Sequence, residues 1–273
     1  MSASPKDAPA AAPKPALPSS TMLMLRDDAE AGLQVFMVKR NYAIDFASGA
    51  LVFPGGKLAE GDSDPRLGNH LRQGRLGADL LPYALGAIRE SFEESGLLLA
   101  REKGSDRFLD AARVEKLDGW REPLNKGEKT LLDLAEAEGI EYAVDAVVPF
   151  AHWVTPVSMP KRFDTWFFLA PAPADQIGSH DGGESVESEW INPNTALAEW
   201  EAKTKTIVFA TRMQLVKLGR SSTSSDAFKA SAADPIMTVM PVLDKDAPGE
   251  PHLRIPAEAG YGITSVPLSR VGM

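Results

Sequence analysis

Glu90, Glu93 and Glu94 fall at i, i+3 and i+4 of a stretch with helical apolar periodicity, so they share one face of one helix. Like charges that close repel, and such a face must meet a cation or stay in water. Arg89, four residues before Glu93, supplies one positive charge. Upstream stands Phe53-Pro54-Gly55-Gly56-Lys57, a cluster that ends a strand abruptly and whose glycines let backbone come close to the acidic face.

A hard divalent cation would relieve the repulsion, since Mg²⁺ and Mn²⁺ favour carboxylate and water oxygens. A Glu-rich helical face alone is commonly just a solvated surface. Arg-Glu-x-x-Glu-Glu-x-Gly-aliphatic behind Phe-Pro-Gly-Gly is far harder to obtain by accident. Other chemistries are closed by composition. The 273 residues hold no cysteine, which excludes disulfide scaffolds, thiolate metal sites and thiol catalysis. His70, His152, His180 and His252 show no zinc-ligand spacing. A formal charge of −9 makes a general nucleic-acid binder a poor reading. No apolar run is long enough to span a bilayer and no secretory signal is visible, so a cytoplasmic protein away from membranes is expected.

Residues 1–20, with eleven Ala or Pro, read as a disordered leader, with order from about Thr21. Met22–Leu25 and Leu33–Lys39 read as a hairpin, and residues 49–53 as a brief strand. Residues 61–81 read as a Gly-rich loop or small helical excursion. A helix is expected from Pro82 to about Arg101, with Leu85, Ile88, Phe92, Leu97 and Leu99 on its apolar stripe. Short helices follow over 102–140. Strands are expected at Val144–Val148, Phe163–Leu169 and Ser185–Ile191. Asn192-Pro193 caps a further helix, and helical sequence runs with a break to Leu218. Ser221–Ser225 reads as a linker. The last forty residues, with six prolines, read as loop with one strand pair, packed on a domain spanning 21–220.

Arg89-Glu90-Ser91-Phe92-Glu93-Glu94-Ser95-Gly96-Leu97 resembles the second half of the Nudix box. That pattern is Gly, five residues, Glu, seven residues, then Arg-Glu-aliphatic-x-Glu-Glu-x-Gly-aliphatic. Gly56 fits the opening glycine, and Asp62 stands where the first Glu is expected. Ser91 replaces an aliphatic residue. Between Asp62 and Arg89 lie 26 residues, so the box is split by an insertion of 19, at about residues 63–81. A split box resembles the branch that holds the peroxisomal-type coenzyme A diphosphatases. Arg40, Gly49 and Phe53-Pro54-Gly55-Gly56 match the spacing of the coenzyme A signature of related enzymes, although Asn41 replaces its Ser and Asp45 its second Arg. Residues 153–156, 161–168, 181–184 and Trp190 resemble the following core segments.

The resemblance implies an α+β fold, an α/β/α sandwich with a mixed sheet between helices and the box as loop–helix–loop. It implies hydrolysis of a diphosphate in a nucleoside-linked small molecule, coenzyme A or an acyl derivative first, with Mg²⁺ or Mn²⁺ as cofactor. On this carry-over Glu90, Glu93, Glu94 and the Gly56 backbone are metal ligands, with Glu90 also a candidate base. Arg89 orients the carboxylates. Arg40, Gly55 and Arg162 are candidates for substrate contact, with a solvated strand end as the alternative for Arg162. Glu184 and Glu187 are further candidates for the base, against a reading as exposed turn acids. His152-Trp153 could stack on a base, although a core Trp fits better, and His180 reads as a surface turn. The competing functions are an ADP-ribose, NADH or nucleotide-sugar diphosphatase, and a non-catalytic nucleotide-binding module on the same scaffold. A homodimer is expected by analogy.

Overall fold

A computed structural model describes residues 14–41, 49–72 and 74–271. The chain opens with β1 (Leu17–Asp28), which turns at Gly32, in the left-handed region at φ 67°, into the antiparallel β2 (Gly32–Arg40). The expected hairpin is thus present. Strand β1 starts at Leu17, inside the expected leader, because Leu17 already pairs with Phe163 far along the chain; the leader's first thirteen residues lie outside the described ones. Short strands β3 (Leu51–Val52) and β4 (Gly55–Lys57) follow.

The split in the box is filled by two 3-10 turns, Glu60–Ser63 and Pro65–His70. Leu71 then bridges Tyr142, and the Arg72 N–H donates to the Tyr142 carbonyl at 2.9 Å, so the insertion is welded to the domain. Helix α1 (Leu81–Ser95) starts with Pro82 in its first turn and stops at Gly96, whose φ of 68° lets its N–H close on Phe92 O. The helix expected to reach Arg101 therefore ends six residues earlier. Leu97 and Leu99 are buried outside it, leading into β5 (Ala100–Glu102).

Residues 102–140 hold the expected short helices, α2 (Ala111–Leu117), α3 (Arg121–Asn125) and α4 (Leu131–Glu138). Strand β6 (Ile140–Tyr142) returns to pair with β5. The strand expected at Val144–Val148 is displaced. Val144–Ala146 is a 3-10 turn, and β7 runs Val148–Val154. Then come β8 (Phe163–Pro171), β9 (Ser185–Ile191) and α5 (Pro193–Glu201), capped by the Asn192 side chain as expected. Helix α6 (Phe209–Leu218) precedes α7 (Ser224–Ala233). The expected linker at 221–225 is instead the start of α7, because Thr223 caps it and Asp27 accepts from the Ser224 N–H and hydroxyl. The tail carries β10 (Thr238–Val239), β11 (Val242–Asp244), β12 (His252–Arg254), β13 (Ser265–Pro267) and α8 (Leu268–Val271). Its last three strands form a small sheet of their own, where one strand pair was expected.

Among the described residues the main sheet runs β10-β7-β8-β1-β2-β3, with β4 also on β1 and β9 on β2. The β1–β8 and β10–β7 pairs are parallel and the rest antiparallel. Strand alternation divides the core in two. Met22, Met24, Phe36 and Val38 pack with α1, Leu98 and the 102–147 segment. Leu23, Leu25, Val35 and Met37 pack with α5, α6, α7 and the tail. Both faces of β1 and β2 are covered, which is why these strands read as nearly unbroken apolar runs.

Helix α1 lies across the strands. Tyr83 meets Trp166 on β8 edge-on, Gly86 lies against Ser20 on β1, and Glu90 lies against Gly56 on β4. Ser20 is paired with both Trp166 and Gly56, so one row of the sheet runs beneath the helix from Tyr83 to Glu90.

Candidate active site

Arg89 uses all its donors inward. Its Nε and Nη2 grip Asp62 at 2.9 and 3.0 Å, Nη1 reaches Glu93 at 3.0 Å and Glu90 at 3.0 Å, and Nη2 also meets the Lys57 carbonyl at 2.8 Å. Asp62, also bonded by the Ala59 N–H, is 2 % exposed. The shorter carboxylate thus does reach across the insertion to the helix. Burial works against the charge on Arg89, but Asp62, Glu90 and Glu93 outweigh it and hold the guanidinium charged well above its ordinary range.

The glutamates are under electrostatic pressure. Burial, opposed by Arg89, pushes Glu93 up to about 7 and Glu90 up to about 6. Burial and then Glu90 push Glu94 well above the usual carboxylate range; Arg40 is the main opposing charge. Glu94 accepts from the Gly55 N–H at 3.3 Å. Gly55 and Gly56 are required by space. A Cβ on Gly55 would lie 2.5 Å from Ser20 O, and one on Gly56 would lie 2.6 Å from Glu90 Oε1. Ser91 fills its aliphatic position fully buried, its hydroxyl without a partner among the described residues.

Two candidates from elsewhere in the chain join this cluster. Arg40, at the end of β2, stabilises charge on Glu94, and its buried Nε has no partner among the described residues. Glu184 raises both Glu90 and Glu94. Its backbone is fixed: the Asp181 carboxylate accepts from the N–H groups of Gly183, Glu184 and Ser185, while Asn41 donates from its N–H to Glu184 O and from Nδ2 to Gly183 O. Asn41, which departs from the signature, therefore supports this loop. Asp45 lies outside the described residues.

Other candidates are not brought in. Arg162 donates to the carbonyls of Thr155 and Lys14, tying down the start of β8. Glu187 is an exposed partner of Lys39, which alternates with Val38 and so faces away from α1. Trp153 is buried, its Nε1 donating to Tyr261, and His152 stacks on Trp166 between Asp164 and Thr238. His180 is a turn residue against Ser188.

Among the described residues no three carboxylates already converge as a closed metal cage. The donor set nonetheless fits a hard cation. It is all oxygen, its buried carboxylates outnumber the arginines, and the missing Cβ of Gly56 leaves backbone open beside Glu90.

A mixed sheet between helical layers, with an acidic helix crossing it behind a glycine turn, is the fold of Nudix hydrolases. A crystal structure of a NUDIX hydrolase from Alicyclobacillus acidocaldarius superposes with a TM-score of 0.67 at 25% identity, covering 79% of this chain and 96% of that one. The family model described as the NUDT19 Nudix domain matches residues 68–220, more than half of the sequence, and the chain belongs to that family. An acyl-coenzyme A diphosphatase NUDT19 of Xenopus laevis is 27% identical over 209 residues, covering 62% of this chain and 55% of that protein. A putative nudix hydrolase 7 of Caenorhabditis elegans is 26% identical over 174 residues, covering 61% and 49%. The chain spans about half the length of these curated relatives. No helix among the described residues is long and apolar enough to cross a membrane.

Proposed function

We propose that the chain hydrolyses the diphosphate of a nucleoside-linked metabolite, coenzyme A or acyl-coenzyme A first, with Mg²⁺ or Mn²⁺. The carrying observation is the excess of carboxylate on one helix: Glu93 and Glu94 are buried, Glu94 accepts from the Gly55 N–H, and Glu90, partly buried, lies against Gly56. When bound, the metal would neutralise phosphate oxygens and acidify the attacking water. Glu94 and Glu90 would hold it, with the Gly56 backbone beside them and Glu93 steadied by Arg89. Arg40 would meet the substrate phosphate. Glu90 or Glu184 would take the proton of the water as its oxygen bonds to phosphorus and the bridging P–O bond breaks. The Xenopus relative's name supports the coenzyme A branch, as does the Arg40 to Gly56 spacing.

A second reading is an ADP-ribose, NADH or nucleotide-sugar diphosphatase. It is favoured by Asn41, whose side chain is engaged with Gly183 where the coenzyme A signature has Ser. The test is incubation with Mg²⁺ or Mn²⁺ and these substrates, with products identified by mass. Coenzyme A should give 3′,5′-ADP and phosphopantetheine, while AMP and ribose 5-phosphate from ADP-ribose alone would select the second reading. Glu93→Gln and Glu94→Gln should stay folded and lose turnover by orders of magnitude. Undiminished turnover in both would overturn the site.

A further inference from the structure

The segment between β5 and β6 holds three short helices outside the box, yet one of its side chains reaches the end of the acidic helix. Arg121, on α3, donates from Nε to the Glu93 carbonyl at 3.1 Å and from Nη2 to the Ser179 carbonyl at 3.3 Å. Its Nη1 pairs with Asp118 at 3.1 Å and lies close to Gly96. Its side chain is 14% exposed. Ser179 itself donates from its N–H to Ser95 O at 2.8 Å.

These contacts join two parts of the site. The last turn of a helix leaves carbonyls without intrahelical partners, and here the carbonyl is that of Glu93, next to Glu94. On the other side, Ser179 opens the turn that leads through Asp181 to Glu184. The far end of the same loop is held by Gln176, buried, which bonds Leu98 N, Leu98 O and Leu109 O. Arg121 thus touches both the backbone that carries Glu93 and Glu94 and the loop that carries Glu184.

We propose that Arg121 is a positioning residue: it sets the spacing between the Glu93–Glu94 turn and the Glu184 loop, and through it the geometry of the metal and water site. This rests on the carboxylate site proposed above. A planar fork spanning two carbonyls cannot be replaced by a point charge, so Arg121→Lys should fail nearly as badly as Arg121→Ala.

The experiment measures three quantities in Arg121→Ala, Arg121→Lys and Glu94→Gln: Mn²⁺ affinity of the metal-free protein by calorimetry, kcat and KM on the substrate the panel identifies, and Tm. For both Arg121 variants we expect kcat to fall about tenfold or more, with KM changed far less and Mn²⁺ bound more weakly. Working below the variants' Tm removes simple unfolding as the cause. Folded Arg121 variants with unaltered kcat and Mn²⁺ affinity, beside an inactive Glu94→Gln, would overturn this inference alone. A fully active Glu94→Gln with undiminished Mn²⁺ binding would overturn the site on which it rests.

Discussion

Gly56 and Glu90 are in such close contact that the α-hydrogen of one occupies the place where any side chain would strike the carboxylate of the other. A Cβ would sit 2.6 to 2.7 Å from three atoms of that carboxylate. Gly56→Ala should therefore turn Glu90 aside. Turnover should fall by about 10²-fold, since misplacement of about 1 Å at a reacting centre has that effect. Steady-state kinetics and circular dichroism on the same preparation check this. Native turnover with an alanine there would show that Glu90 is free to move without consequence.

Arg89 neutralises Asp62 and Glu93 where water cannot. Arg89→Met should destabilise the domain by about 3–5 kcal/mol, because it leaves buried carboxylates unpaired. Adding Asp62→Asn should return part of that loss. Urea unfolding of the single and double variants decides. Additive losses would mean that the two residues do not act as one unit.

The acidic face should also govern how the metal-free domain responds to pH. Glu90 and Glu93 sit near 6 and 7 when folded, above the ordinary 4.5. The folded state then binds more protons than the unfolded state across that interval, so their contribution falls as pH rises through it. With EDTA present, Tm should drop from about pH 5 to about pH 8, and Glu93→Gln should flatten the slope. Mn²⁺ should raise Tm most at the alkaline end. A metal-free Tm that climbs over the same range would contradict the burial of these charges.

Asp133 provides the opposite sign. It accepts from the Thr130 N–H and hydroxyl at the start of α4, which lowers its pKa below the ordinary 3.8. Its contribution is present above that value and fades as pH falls through the folded pKa. Asp133→Asn should cost about 1 kcal/mol at neutral pH, and much less at a second pH below the folded pKa, where both carboxyl and amide are uncharged. Denaturant melts at the two pH values measure it.

The acidic helix and the opening hairpin could be read from local pattern, because alternation, caps and glycine turns act over a few residues, whereas the layered architecture followed only from the resemblance of the box to its family. Asn192 and the Gly55-Gly56 turn are of this kind. Even so, the apolar residues Leu97 and Leu99 masked the stop at Gly96, since a buried extended segment carries no period of its own. Val144–Ala146 misled for a related reason: apolar residues on either side of Asp145 fit a strand's alternation as well as a 3-10 turn in which only Val144 is buried. The site was legible where one helix carries it and illegible where distant backbone completes it. Arg121 and Gln176 act on carbonyls far along the chain, which leave no mark in composition or spacing. Arg162 looked available from its charge, but its guanidinium is engaged by two carbonyls near the sheet end. Asp62 is separated from Arg89 by the 26 residues that interrupt the box, yet the fold brings its carboxylate onto that guanidinium.

Strand β1 lies in the middle of the sheet, yet one of its edges pairs from Leu17 to Leu25 with β8, which is encoded more than half the chain away. As the polypeptide leaves the ribosome, β1 and β2 can pair at once, but the platform beneath α1 stays incomplete until Trp166 and its neighbours have emerged. Assembly of the acidic site is therefore a late event that waits on a long-range parallel pairing, of the kind that folds slowly. Until then the emerging chain exposes the unpaired edge of β1, an open template for pairing with another chain.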